Sequence, residues 1–160
     1  MRNYWTKSKK VMELVREFVA ERKQMVVATN GEFPWICTVY YGVDDELNLY
    51  FLTSPETIHG KQIGENEKVA VAIADSPQDP SSKKKGVQIS GRCVQLESED
   101  EVNGGLELWK KALNVEDEKY SYKAMLEGKI KGRVYKITPV KIKFFNQEIW
   151  SEGEEPLVEV

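Results

Sequence analysis

Between Ser8 and Arg22 the apolar residues fall at Val11, Leu14, Val15, Phe18 and Val19. Spacings of three and four place them on one stripe of a helix, with Lys9, Lys10, Glu13, Arg16, Glu17 and Glu21 on the opposite face. From Gln24 the period changes to two. Met25–Thr29 reads as a short strand, Asn30-Gly31 as a turn, and Trp35–Val43 as a second strand. Asp44-Asp45-Glu46 turns the chain into a third strand, Leu47–Thr53, bulky on both faces and so either central or covered on two sides. Pro55 opens a short helix reaching about Glu65, and Val69–Ala74 follows as a wholly apolar fourth strand. Asp75–Lys85 is rich in Ser, Pro and Lys and reads as an exposed loop.

Gly86–Glu97 is a longer fifth strand in which Gly91 signals a bulge. Ser98 and Glu101 form a capping box for a helix that runs to about Leu113. Tyr120–Glu127 is a further helical piece that Gly128 ends. Arg133–Ile137 and Val140–Phe145 read as two last strands, with Pro139 forcing an edge or bend between them. The expected architecture is mostly β: an antiparallel β-barrel of about seven strands with peripheral helices, not a doubly wound parallel sheet. One domain covers 1–147, and 148–160 is an acidic tail. Ile149-Trp150 is expected to dock and the chain beyond Gly153 to be disordered.

Composition narrows the function. Lys plus Arg number 23 and Asp plus Glu 26, a net charge of −3. That argues against a general nucleic-acid or anionic-membrane binder. Single-strand binding through Trp35, Tyr40, Tyr41 and Tyr50 would need a basic groove. No apolar run approaches the ~20 residues of a spanning helix, and no signal-type stretch follows Met1–Trp5, so a cytoplasmic protein is expected. Cys37 and Cys93 are isolated and read as free, small core residues. One histidine, His59, excludes a two-histidine mechanism or a His-rich metal site. GxSxG, GxGxxG and P-loop patterns are absent, which removes the support for a hydrolase or a nucleotide fold.

The stretch from Leu49 to Ile63 carries the chemistry. It runs off a strand into a helix and gathers the hydroxyls of Thr53, Ser54 and Thr57 with His59 and Lys61. Free N–H groups and the helix dipole favour an anion at such an N-terminus, and hydroxyls with one or two cations would complete a phosphate pocket. The plainer reading of the same residues is capping, with Ser54 as N-cap before Pro55.

In order and spacing the chain resembles the pyridoxamine 5′-phosphate oxidase-like superfamily, the FMN-binding split barrels. The residues that carry the resemblance are Met25–Thr29, Gly31, Pro34 before Trp35–Tyr41, Tyr50-Phe51-Leu52-Thr53, the Thr57 segment, Glu67–Val71, Gly86–Arg92 and Val134–Phe144. Together they span about residues 20–147. The resemblance implies a split barrel of six or seven strands, and a homodimer with two FMN molecules in grooves between subunits. Thr38 and Val39 would lie near the flavin ring, Thr53, Ser54 and Thr57 near its phosphate, and Gln88 would be a partner-side contact. The family also includes members that bind FMN weakly or not at all, and others that use heme or deazaflavin.

Two departures stand out. Ile58 and His59 occupy positions where many members carry Arg-Lys, and Cys37 or Thr38 stands where many carry an Arg. Each lost charged contact costs about 1.5–3 kcal/mol, so phosphate affinity would fall by roughly two to four orders of magnitude unless His59 and Lys61 compensate. There is no arginine-rich C-terminal segment for a second phosphate, which argues against pyridoxamine 5′-phosphate oxidase activity itself. Two expectations follow. The first is an FMN-dependent oxidoreductase passing electrons between a nicotinamide donor and a small acceptor. The second is a non-catalytic split barrel that binds flavin, heme or another small ligand.

Overall fold

The computed structural model describes residues 2–75 and 77–160, with the side chains of residues 2–8 left aside; Ser76, in the expected Asp75–Lys85 loop, lies outside the described residues. In chain order the elements are α1 (Arg2–Ala20), β1 (Gln24–Thr29), β2 (Trp35–Val43), β3 (Leu49–Thr53), α2 (Ile58–Glu65), β4 (Lys68–Ala74), β5 (Lys85–Gln95), α3 (Glu99–Leu113), α4 (Tyr122–Leu126), β6 (Arg133–Asn146) and β7 (Leu157–Glu159). The strands lie in the order β3-β2-β1-β4-β5-β6-β7, and a β3–β6 pairing closes the first six into an antiparallel barrel. None of the described helices is long and apolar enough to cross a membrane.

The barrel is filled by alternate side chains of its strands. Met25, Val27, Tyr41, Leu49, Phe51, Val71, Ile73, Val87, Ile89, Ile137 and Ile142 are all buried. Each contributes roughly 1.5–3 kcal/mol of apolar burial before ordering costs. Helix α1 closes one end through Val11, Val15, Phe18 and Val19, the stripe expected from its spacing. The Tyr41 hydroxyl donates to the Val19 carbonyl at 2.6 Å, and the Phe18 ring lies 5.4 Å from that of Phe144. Arg22 ties the same end down. Its guanidinium stacks on Phe18 and bonds both Asp75 oxygens at 2.8 and 2.7 Å, which holds the Asp75 carboxyl below the usual carboxylate range.

A second apolar layer lies outside the barrel. Val102 and Leu106 of α3 and Met125 of α4 cover Tyr50, Leu96 and Val134, so β3 is indeed covered on two sides. The helix can lie this close because two positions lack a side chain. A Cβ on Gly42 of β2 would stand 2.6 Å from the Leu108 backbone, and one on Gly105 would stand 2.9 Å from the Tyr50 ring. Gly105, which weakens α3 as an isolated helix, therefore supplies part of its contact surface.

Several expectations needed correction. Strand β3 begins at Leu49 rather than Leu47. Leu47 adopts a left-handed φ of 65° in a turn built around Asp44, whose carboxylate accepts from the Glu46 and Asn48 backbone, the Asn48 side chain and the Tyr50 hydroxyl. Helix α2 begins at Ile58, and its N-cap is Thr57 rather than Ser54. Strand β4 begins one residue earlier, at the exposed Lys68, and its apolar run is buried on one face only; Ala70, Ala72 and Ala74 point outward. The two last strands are one, β6, running straight through Pro139. The register shifts between Ser90 and Gly91, and Pro139 faces Gly91 there, so the missing N–H falls at the irregularity.

The tail is ordered. Trp150 packs edge-on to Phe144 of its own barrel at 5.9 Å. Leu157–Glu159 pairs as β7 with Lys141–Lys143 of β6. Acidic residues on the tail meet lysines of β5 and β6: Glu148 with Lys85, Glu155 with Lys143 and Glu159 with Lys141.

Candidate functional site

The β2–β3 ladder stops at Tyr41–Phe51. Continued in the same register, it would set Val39 against Thr53. Instead β3 turns away at Thr53 into Ser54-Pro55-Glu56, and Ile58–Glu65 folds as α2 over the open end of the barrel. The β2 edge from Trp35 to Val39 is left without a strand neighbour on that side, while its other edge pairs with β1. Two side chains bound this free edge. At one end Trp109 Nε1 donates to the Tyr40 carbonyl at 3.2 Å; at the other Gln62 Nε2 donates to the Phe33 carbonyl at 3.0 Å. Gln62 is in turn held by the buried Thr29, whose hydroxyl donates to its Oε1 at 2.6 Å. Neither Trp109 nor Gln62 was singled out from sequence. Trp109 reads from the sequence only as a packing residue of α3, and no local pattern marks Gln62.

Across the gap lies the α2 N-terminus. Thr57 Oγ1 accepts from the Gly60 N–H at 3.0 Å and donates to the Ser54 carbonyl, so its hydroxyl is engaged in capping. Ser54 Oγ accepts from the Glu56 N–H in the same turn. The N–H groups of Ile58 and His59 have no partner among the described residues, as expected for a first helical turn. His59 Nε2 and Thr53 Oγ1 lie 2.6 Å apart and are both half-buried. Burial lowers the His59 pKa from its ordinary value, so the ring is uncharged at neutral pH. Lys61 is exposed and pairs with Glu56 at 3.7 Å.

The structure therefore brings Thr53, Ser54, Thr57 and His59 together in the segment where β3 leaves β2 for α2. Val39 turns its side chain to the core, so what it offers a ligand is backbone. Thr38 projects outward and pairs with Val26. Gln88 is also on the outer face, but β1 and β4 stand between it and Thr38 through the pairs Val26–Ala72 and Ala72–Gln88. Three strand spacings separate the two by about 14 Å. Gln88 does not join the site of its own chain. Burial holds the Cys37 thiol above its ordinary value and, with a contribution from Cys37, pushes Cys93 up to about 12.

Outside the site the barrel shows an apolar face. Ile36 is 66 % exposed and Tyr40 52 %, beside Val26, Ala28, Ala70 and Ala72. Small side chains in the middle leave a groove of about 470 Å³ that runs from Val26 to Gln88, Lys141, Lys143 and Leu157.

This barrel is matched by known proteins. The family model for pyridoxamine 5′-phosphate oxidase matches residues 11–146. The chain belongs to that family. Among curated relatives, a UPF0306 protein of Photorhabdus laumondii is 27 % identical over 89 residues, a stretch that spans 54 % of this chain and 62 % of that protein. Among solved structures, a protein from Clostridium acetobutylicum related to general stress protein 26, of the pyridoxinephosphate oxidase family, matches with a TM-score of 0.67 and 16 % identity. That match covers 94 % of this chain and 95 % of the other. A heme-binding protein from Mycobacterium smegmatis matches with a TM-score of 0.73 and 16 % identity over 92 % of this chain and 57 % of its own. These likenesses carry the family's fold.

Proposed function

We propose that this chain is an FMN-binding oxidoreductase in which two copies hold the flavin between them. The observation that carries the reading is the free edge of β2 at Trp35–Val39 facing the α2 N-terminus. A flavin needs a flat polar edge for its ring and an anion site for its phosphate, a few ångströms apart. Backbone groups of Thr38 and Val39 suit the first. The free N–H groups of Ile58 and His59, the Thr53–His59 pair and Ser54 suit the second. FMN, when bound, would supply the electron-carrying chemistry between a nicotinamide donor and a small acceptor. The chain's own residues would hold its phosphate, orient the ring and exclude water. No side chain at the site is placed as an acid–base catalyst.

The second copy belongs to this reading. The outer face offers large exposed side chains on β2 and small ones on β4, a self-complementary relief that suits a two-fold contact. A partner on that face would also bring its own Gln88 toward the site that the first chain's Gln88 cannot reach.

Purified protein titrated with FMN is expected to bind at micromolar or tighter affinity, and riboflavin much more weakly. Equal affinity for the two would overturn the phosphate site. Hemin, titrated in parallel, tests the second reading, a non-catalytic heme carrier; the likeness to the mycobacterial protein supports it. His59, the chain's one histidine, has its Nε2 engaged with Thr53, which favours FMN.

The His59 contribution depends on pH. Its folded pKa lies below the ordinary ~6.5, so the ring is neutral at pH 7 and gains charge only as pH falls below that value. The FMN affinity of wild type relative to His59→Gln is expected to rise as pH falls from about 7.5 to 5.5. Taking the ratio cancels the titration of the phosphate itself, near pH 6. A ratio that stays flat across this range would remove His59 from the phosphate site.

A further inference from the structure

The sequence leaves the phosphate segment short of positive charge, with Ile58 and His59 where a basic pair is usual, and the fold keeps His59 neutral and Lys61 paired with Glu56. We propose that Arg133, at the start of β6, is the missing anion-binding residue of this site, recognising a phosphate monoester beside Thr53 and His59. The inference rests on the flavin reading above and deepens it.

The argument starts from register. Thr53 and Arg133 are direct partners, the last rung of the β3–β6 ladder. Directly opposed residues of an antiparallel pair project to the same side of the sheet. The rung one alternation earlier fixes which side that is. Phe51 and Tyr135 also pair, and their rings stack at 5.4 Å inside the barrel. Thr53 and Arg133 therefore stand together at the barrel mouth that α2 covers, and Thr53 is the residue bonded to His59.

Charge supplies the second part. Arg133 forms no ion pair among the described residues. Of the lysines in its own segment, Lys123 and Lys129 pair with Glu127, while Lys131 is exposed to solvent. Its Nη1 donates to the carbonyls of Ile130, Lys131 and Gly132 at 3.1, 3.4 and 2.9 Å. Those bonds fix the guanidinium at the strand end without neutralising it, and its Nε and Nη2 have no partner among the described residues. A positioned, half-buried arginine with donors to spare suits a phosphate oxygen pair.

The test is a titration of the full chain with FMN and with riboflavin, for wild type, Arg133→Met, Arg133→Lys and the control Lys129→Met. Arg133→Met is expected to weaken FMN by about 10- to 100-fold, leave riboflavin unchanged, and lose most of the salt dependence of FMN binding. Arg133→Lys should keep much of the preference for FMN, and Lys129→Met all of it. Should the Met variant fail to fold, Arg133→Gln, which can still donate to a loop carbonyl, carries the same expectation. If wild type prefers FMN and the Met or Gln variant binds it within twofold, this proposal is wrong and the flavin reading stands. Equal weakening of FMN and riboflavin would also overturn it, because Arg133 would then act only by holding the loop. A wild type that binds neither ligand overturns both readings.

Discussion

Gly42→Val is expected to cost about 3 kcal/mol of stability, or a fall in Tm of roughly 6–12 °C for a chain of this size. The reason is backbone against backbone. A Cβ at Gly42 would stand 2.6–2.7 Å from the Leu108 carbonyl group and the Trp109 nitrogen, and no rotamer change can relieve that. Helix α3 must shift as a unit. The shift pulls Trp109 Nε1 off the Tyr40 carbonyl and opens one end of the β2 edge, so flavin affinity should fall with stability. Gly64→Ala provides the contrast. A Cβ there meets nothing within 4 Å, and replacing an unconstrained helical glycine is worth up to about 1 kcal/mol in the stabilising direction. The two substitutions should move Tm in opposite directions by calorimetry. A Gly42→Val protein melting within 2 °C of wild type would mean that α3 does not rest on β2 as described.

Ala72→Arg is expected to leave the folded chain almost untouched and to abolish its self-association. Ala72 is exposed, between Val26 and Gln88, so a long polar side chain costs the single barrel little. In a two-fold contact through this face the same change buries a charge without a partner, on both copies at once. Several kcal/mol follow, more than a thousandfold in the dimer dissociation constant. Sedimentation should report a mass about twice 18.4 kDa for wild type and the single mass for the variant, with FMN binding lost alongside. A wild type that sediments as a monomer at tens of micromolar would remove the second copy from the proposal.

What could be read from the sequence, and what could not, divides along the distance over which each signal acts. Helices α1 and α3 were legible because stripe and cap are local: Val11 to Val19 for one, Ser98 with Glu101 for the other. The break at Thr53 into a helix start was legible for the same reason. The N-cap slipped from Ser54 to Thr57 because both hydroxyls satisfy the local pattern, and only the turn through Pro55 decides between them. Strand β4 reads as wholly apolar over Val69–Ala74, and its outward face is not legible because alanine is apolar whether it faces core or solvent. The single strand β6 was hidden by Pro139, since the irregularity that admits proline sits on its neighbour β5. Arg133 was invisible as a site residue. Its link to Thr53 exists only through the pairing that closes the barrel, as does the turning of Gln88 away from the site of its own chain.

One consequence of β7 concerns misassembly. The first half of β6 is covered by β3 and β5, but where β3 ends its second half would present a bare strand edge beside β5. Such an edge is a template for runaway strand addition between molecules. The last residues of the chain fill it: Leu157–Glu159 pair with Lys141–Lys143, and the Val160 N–H donates to the Val140 carbonyl. What remains outermost is a strand of three residues ending in acidic and exposed positions, too short to recruit another. The tail thus leaves no long bare strand edge on this side of the barrel for another molecule to extend.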